Sequence, residues 1–506
     1  MTAHVTTFTF EGVETTPVDV QVQLTSGLPA FVLVGLPDKA VSESRERVRA
    51  AIGALGLSLP AKRIVVNLAP ADLVKEGSHY DLPIAIGLLV AMGVIPQDAV
   101  AEFAALGEVS LDGRLLPVAG VLPAAIGANA MGKGLICPAA NGPEALWAGE
   151  LTVLAPESLL ALINHVKGTQ LIPEPKRQEL SSPIRYTDMK QVRGQHVARR
   201  ALEIAASGGH NMLMVGPPGS GKSLLASCLP GILPPLDARE MLDVSIVASI
   251  AGKLVDGALS RERPFRDPHH SASLAAMVGG GRRAVPGEIS LAHQGVLFLD
   301  ELPEFPRGVL ESLRQPIETG RVSVARVQSH VTFPAEFQLV TAMNPCRCGY
   351  LADVARACGR APKCAVDYQS RISGPLLDRI DLSVDVPQQD SFEAMQLPAG
   401  ESTEAVAARV ASARERQKQR LARLFPKEPI RINARLDGDA LHAVATPDAE
   451  GMNILKSAAE KFGLSMRSYS RVLKVARTIA DMEESEDVRA PHISEALAYR
   501  MMHYGK

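Results

Sequence analysis

The chain is short of aromatic residues, cysteines, long apolar runs and charge of either sign, and each shortage removes a class of protein. Aromatics make up 4% of the 506 residues, with a single tryptophan, so aliphatic side chains must fill the cores. Six cysteines in a chain of this length form no disulfide scaffold, and a reducing cytoplasm is the expected compartment. The most apolar run, LPIAIGLLVAMGVI at 82–95, is too short to cross a bilayer and predicts a buried helix. The opening MTAHVTTFTFEG has no basic segment leading into an apolar one, so no secretory signal is expected. A net charge of −2 gives no global attraction to nucleic acid, and any such binding requires a local basic surface.

What is present is a globular composition, 46% hydrophobic and 21% charged, in a chain long enough for several domains. Residues 1–168 alternate β-rich runs (VDVQVQL, RIVVNLAP, LTVLAP) with alanine-rich helical stretches, which predicts an α+β domain. QLIPEPKRQELSSPI, at 170–184, mixes proline, serine and charge without apolar periodicity and predicts a linker, bounded at 169–187. From 188 to 387, short apolar strands (MLMVG, GVLFLD, FQLVTAMN) alternate with helices, as a parallel α/β sheet requires. Residues 388–506 are almost wholly helical. STEAVAARVASARERQKQRLARL has apolar residues at helical spacing, and further helices are expected over 450–461 and 468–481. Within the first of these, RERQKQR at 414–420 reads as a solvated helix face.

GPPGSGKS fits G-x-x-x-x-G-K-[ST] with Gly216, Pro217, Pro218, Gly219, Ser220, Gly221, Lys222 and Ser223. NMLMV before it predicts a strand and SLLASCL after it a helix, the setting that such a loop needs. The glycines let the backbone curl so that its N–H groups face phosphate oxygens at a helix N-terminus. Lys222 is expected to reach the β- and γ-phosphates of ATP, and Ser223 to hold Mg²⁺. Downstream, GVLFLDELPEF predicts a buried strand ending in Asp300 and Glu301. Asp300 would hold Mg²⁺, and Glu301 would polarise the attacking water. A third strand, FQLVTAMNP, ends in Asn344, whose amide can hydrogen-bond that water or the γ-phosphate.

Strand–loop–helix, acidic strand and polar strand, in this order, resemble the AAA+ ATPase core. RPFRDPHHSAS…GGGRRAVPGEISLAHQGVLFLDELPEF resembles the magnesium-chelatase-like branch, and the match to its bacterial YifB/ComM group covers essentially the full length. SGPLLDRIDL, 373–382, resembles the arginine-finger region of minichromosome maintenance helicases and magnesium chelatases. The resemblance implies that Arg379 is the finger, reaching into a neighbouring subunit's site, and that Arg467 in LSMRSYSRVLKVARTIAD is the lid arginine called sensor 2. A guanidinium in either place neutralises charge developing on the transferred phosphoryl group. A finger acting in trans implies a homo-oligomer, a hexameric ring by the resemblance.

KEGSHYDLPIAIGLL and LGEVSLDGRLLPVAGVLPAA resemble the peptidase domain of the Lon family, whose dyad is a serine and a lysine. Here the serine place falls on His79 and the lysine place on Leu122, with Ser78 adjacent but out of register. A leucine takes no proton, so a scaffold without peptidase chemistry is expected. The expected fold class is therefore multidomain α/β: an N-terminal Lon-protease-like α+β domain, a central AAA+ parallel-sheet core and a C-terminal α-helical lid.

Cys346, Cys348, Cys358 and Cys364 fall within one segment, after the polar strand. Four thiolates can enclose Zn²⁺, and four free thiols remain the alternative. Cys137 and Cys228 sit in apolar surroundings and read as core. His269 and His270 are adjacent, so their side chains are expected to diverge and to position a loop rather than share a metal.

ETGRVSVARVQSHVTFPAEF, 318–337, alternates like a strand pair and resembles the hairpin that this branch inserts before its sensor, which lines the pore of hexameric helicases. Arg321, Arg326 and His330 are then candidates to meet DNA phosphates, with Arg282 and Arg283 of GGGRRAVPG as a second set. The resemblance implies an ATP-driven DNA helicase or translocase that promotes branch migration during natural transformation. Its contacts with single-stranded or branched DNA would be independent of sequence. The alternative is an ATPase that remodels a protein partner, as chelatase subunits do. No membrane partner is expected.

Overall fold

The computed structural model describes residues 2–181, 186–281, 285–325, 330–351, 356, 358–389, 396–427 and 431–500. Ala325 and His330 are described in their backbone only.

Alternation of apolar and polar residues builds the first sheet. β1 (Thr2–Glu11) and β2 (Glu14–Thr25) form a long antiparallel pair, with Val18, Val20 and Val22 fully buried on one face. β3 (Ala30–Val34) leads through α1 (Lys39–Ala54) to β4 (Arg63–Ala69). Then comes α2 (Asp81–Ala91), apolar on all sides and buried, as its sequence predicts. β5 (Phe103–Ala105), α3 (Val121–Ala130), β6 (Gly134–Ile136) and β7 (Val153–Leu154) complete a seven-stranded mixed sheet of order β3-β4-β2-β1-β5-β6-β7. Its core, centred on Val20, Val66, Leu82 and Ile86, is aliphatic. Cys137 is buried in a satellite cluster with Phe8 and Leu135.

Residues 170–181 carry no regular element and lie along the body, held by Ser181 N–H donating to Leu259 O at 2.9 Å. α4 (His196–Gly208) precedes a second sheet, whose strands are β8 (Met212–Val215), β9 (Phe265–Arg266), β10 (Val296–Leu299), β13 (Gln338–Met343) and β14 (Leu382–Asp385). All neighbouring pairs are parallel, in the order β9-β10-β13-β8-β14. Both faces are covered, which explains the unbroken apolar runs. Met212 and Met214 pack toward α4 and the C-terminal helices, and Leu213 and Val215 pack toward the opposite core. Between β10 and β13, β11 (Arg321–Ala325) and β12 (His330–Pro334) form a separate antiparallel hairpin.

The first body docks on the second through α3, which lies across α6 (Ala238–Ile250). The buried Glu144 Oε1 accepts from Leu122 N–H at 3.0 Å and from Ser249 Oγ at 2.5 Å, and Gly120 N–H donates to Ser249 O at 3.0 Å. Trp147 Nε1 donates to Gly257 O at 2.9 Å. Leu122, where a Lon-type lysine would stand, is fully buried in this joint. The β1–β2 turn makes a second contact. A Cβ on Gly12 would lie 2.3 Å from Thr332 O on β12, so the chain approaches the hairpin closely there.

The C-terminal part is helical: α8 (Thr403–Leu424), α9 (Ala449–Phe462), α10 (Met466–Met482) and α11 (Ala490–Ala498). The solvated face expected at 414–420 is a correction. Arg414 Nε donates to Ala206 O at 2.8 Å, Gln417 is fully buried with its amide on Ser207 O, and Arg420 pairs with the buried Asp481. Arg414, Gln417 and Arg420 are thus consumed by packing against α4 and α10, whereas Glu415, Lys418 and Gln419 are exposed as expected. Among the described residues, no helix is long and apolar enough to cross a membrane.

Candidate active site

The strand β8 hands the chain to a loop at 216–221, and the next helix, α5 (Lys222–Ile232), begins at Lys222. Gly219 and Gly221 have φ of 74° and 92°, a backbone region that residues with a Cβ rarely enter, and added Cβ atoms would meet nothing within 4 Å. The demand for glycine here is conformational, and it leaves the lip of the loop open. Lys222 Nζ, largely buried, donates to Gly216 O at 2.8 Å and Pro217 O at 2.9 Å and lies 3.3 Å from Asn344 Oδ1. Burial lowers the pKa of its ammonium, and the charges of Asp300 and Glu301 oppose that.

Three parallel strands bring the remaining candidates to the same edge. Ser223 Oγ donates to Asp300 Oδ2 at 2.6 Å, so a hydroxyl and a carboxylate from distant segments already meet. Such an oxygen pair suits Mg²⁺, and a buried ammonium beside a curled loop suits polyphosphate. Glu301 has φ of 53°, a strained left-handed conformation for a residue with a side chain. Its N–H donates to Asp300 Oδ1 at 2.8 Å, and its carboxylate lies 3.2 Å from His270 Nδ1. Asn344 follows the last residue of β13.

Sequence reading missed the partners of this carboxylate pair. His269 and His270 do not diverge, since their ring centroids are 4.1 Å apart, and His270 faces Glu301. Asp267 sits close by, its pKa raised by burial and by Asp300. The signal was RDPHH directly after β9, the strand beside β10. Gln195 was also missed. Its amide donates to Pro387 O at 2.7 Å and Ser220 O at 3.4 Å, tying the turn before α4 to the phosphate loop.

Arg379 and Arg467 converge on one carboxylate. Arg379 is 4% exposed, donates to Pro375 O at 2.5 Å and pairs with Glu318; Arg467 Nη2 lies 3.8 Å from the same Glu318 carboxylate. Burial lowers the pKa of Arg379; Glu318 opposes this, and the nearby Arg467, Arg314 and Arg471 add to it. One half-exposed glutamate thus serves both Arg379 and Arg467, whereas Arg314 pairs with Glu311 and Arg471 with Asp381. Glu318, Arg467 and Arg471 line a cleft of about 1050 Å³ that includes none of Lys222, Asp300, Glu301 or Asn344. That cleft is therefore separate from the sheet edge where Lys222, Ser223, Asp300 and Asn344 gather, despite its size.

The cysteines also converge. Cys346, Cys348 and Cys364 sulfurs all lie within 4.8 Å of one another, Cys346 and Cys348 at 3.1 Å. Hydrogen bonds from Tyr350 N–H, the Cys346 thiol and Cys358 N–H bring Cys348 down to about 6. Cys364, beside Cys358, is pushed up to about 12. Cys137 and Cys228 are buried apart from these. Of the expected DNA contacts, Arg321 is exposed at the head of β11, and His330 opens β12. Arg282, Arg283 and Arg326 lie outside the described residues.

Three family models match the chain. Magnesium chelatase, subunit ChlI, covers residues 188–394; subunit ChlI of Mg-chelatase covers 20–141; and its C-terminal model covers 400–500. The chain is 43% identical over 491 residues to the protein YifB of Escherichia coli, covering 97% of this chain and 95% of the relative. It is 41% identical over 498 residues to the competence protein ComM of Haemophilus influenzae, covering 97% and 96%. YifB of Salmonella typhimurium is 41% identical over 490 residues, covering 97% and 95%. With its parallel sheet, phosphate loop and helical C-terminus, the chain belongs to the YifB/ComM family of magnesium-chelatase-like AAA+ ATPases.

Proposed function

We propose that the chain is an ATP-hydrolysing ring motor acting on DNA in the cytoplasm, a helicase or translocase that promotes branch migration during natural transformation. The observation that carries the ATPase part is the meeting of Lys222, Ser223, Asp300 and Asn344 at one edge of the parallel sheet. Ser223 and Asp300 would hold Mg²⁺, which when bound offsets phosphate charge and orients the γ-phosphoryl group. Lys222 and the amides of 216–221 bind and orient the triphosphate. Glu301 takes the proton of the attacking water, held in check by His270. Asn344 positions that water.

Arg379 and Arg467 share Glu318 and serve a neighbour's site together, with Glu318 releasing them when the seam closes. An arginine that serves a neighbouring protomer requires a homo-oligomeric ring, here a hexamer. The helical C-terminus acts as lid, and the first body as a Lon-like scaffold whose lost base position is a docking joint. Zn²⁺ on Cys346, Cys348 and Cys364, with Cys358 beside them, completes the cofactor set.

DNA is favoured as substrate by the hairpin β11–β12, which interrupts the chain between the carboxylates and Asn344, and by the relative named a competence protein. Contacts from Arg321, Arg326, His330, Arg282 and Arg283 would be to phosphates, independent of sequence and sensitive to salt. ATP hydrolysis measured with single-stranded, duplex and branched DNA tests this. Stimulation by DNA, lost on combined replacement of Arg282, Arg283 and Arg326 by alanine, is expected. Hydrolysis indifferent to every DNA, together with a stable protein partner, would favour a chelatase-like remodelling ATPase instead.

A further inference from the structure

The segment after β13 places thiols and catalytic groups on one short stretch. Cys346 stands two residues beyond Asn344 and is fully buried, with its sulfur beside that of Cys348. Cys364 joins them from the first turn of α7 (Lys363–Gln369). The Cys358 thiol hydrogen-bonds with Cys348 and Cys364 from beside this trio, which puts a fourth sulfur next to the three. Backbone N–H groups complete the nest: Gly349 donates to the Cys346 sulfur, and Tyr350 and Cys358 donate to that of Cys348. Amides aimed at thiolates are the outer support that metal-bound sulfur requires. A tetrahedral Zn–S₄ centre with bonds of about 2.3 Å has sulfurs roughly 3.8 Å apart, and the three sulfurs here fall within 4.8 Å.

The same stretch is bound to the phosphate loop. Gly349 has φ of +85°, and a Cβ there would lie 2.4 Å from Pro218 Cδ. Gln369 Nε2, at the end of α7, donates to Pro345 O at 2.8 Å. Arg371 then pairs with Glu304 at 3.0 Å, just before the turn that carries Arg379. A metal joining Cys346 and Cys348 to Cys358 and Cys364 would therefore fix one wall of the phosphate loop and the position of Asn344.

We infer that the four cysteines hold a structural Zn²⁺ and that its presence presses Gly349 on Pro218, setting the affinity of the loop for nucleotide. The coupling rests on the ATP-binding reading, whereas the metal site does not.

Metal analysis of the purified full-length chain should find about one zinc per chain, and less than about a third of an equivalent overturns the site. Intact mass showing cysteine pairs oxidised in place of zinc overturns it as well. Withdrawal of zinc with a zinc-selective chelator, Mg²⁺ kept in excess, should weaken binding of a fluorescent ATP analogue by about tenfold or more. Added Zn²⁺ should restore it. Unchanged affinity overturns the coupling. Because Cys358→Ser or Cys364→Ser can unfold the loop, Pro218→Ala provides the second arm. It removes the ring that Gly349 faces and touches neither a ligand nor an amide of the nest, so it should keep its zinc yet bind the analogue similarly weakly, and full affinity in that variant overturns the coupling. Zinc-loaded wild-type protein that binds no nucleotide would overturn the ATP reading and the coupling with it, leaving the metal site standing.

Discussion

Lys222 and Glu301 sit within one site but fail differently when replaced. Lys222 is buried with its ammonium over the loop, so Lys222→Ala should lower both nucleotide affinity and turnover, the latter by about a hundredfold or more. Glu301 touches neither the loop lysine nor Ser223, so Glu301→Gln should keep nucleotide affinity within about threefold while turnover drops by about a hundredfold or more. Equilibrium binding and steady-state hydrolysis on both variants separate the two. A Glu301→Gln protein that cannot bind nucleotide would remove Glu301 from its role. His293 gives a pH signature. It is buried, and its Nδ1 accepts from Glu336 N–H at 3.0 Å. Burial brings its pKa down to about 4. The unfolded chain therefore takes up a proton that the fold refuses as pH falls from 6.5 toward about 4. Its stabilising contribution is complete above that window and is lost through it, by up to about 3 kcal/mol. Denaturant melts of wild type and His293→Gln across the window should show the flatter dependence in the variant.

The phosphate loop, Asp300, Glu301 and Asn344 were legible because each lies at a strand end whose apolar run is local in sequence. His270 and Glu318 were not, because their roles come from partners brought together by the fold: Glu301 for one, Arg379 and Arg467 for the other.

At the scale of elements, the helices over 450–461 and 468–481 were readable from periodicity and appear as α9 and α10. Periodicity also gave α8, expected over 402–424 and observed over Thr403–Leu424, but it did not convey that Gln417 and Arg420 of that helix face a buried polar network. Arg477 is 1% exposed and Asp481 2%; Asp481 pairs with Arg477 and Arg420 and accepts from Asn433 Nδ2 at 2.8 Å. A charge alphabet cannot distinguish that from a wet surface. Asp481→Ala leaves two guanidiniums uncompensated and should cost the C-terminal helices about 3 to 5 kcal/mol of stability, seen in thermal melts. A loss below about 1 kcal/mol would mean that water replaces the carboxylate. The β1–β2 turn also lies outside what sequence patterns convey, since nothing local in EGVE announces its contact with Thr332 on β12.

For the whole molecule, the order of sheets and the helical C-terminus followed from pattern, whereas the joint between α3 and α6 required three dimensions. The central claim is that triphosphate is cleaved at a seam between protomers, with the loop from one chain and Arg379 from the next. Lys222→Ala and Arg379→Ala proteins, each inactive alone, are mixed and their ATP hydrolysis is measured across ratios. The account predicts recovered hydrolysis, because some seams then pair an intact loop with an intact arginine; no recovery at any ratio, with mixed assemblies demonstrated, would contradict it.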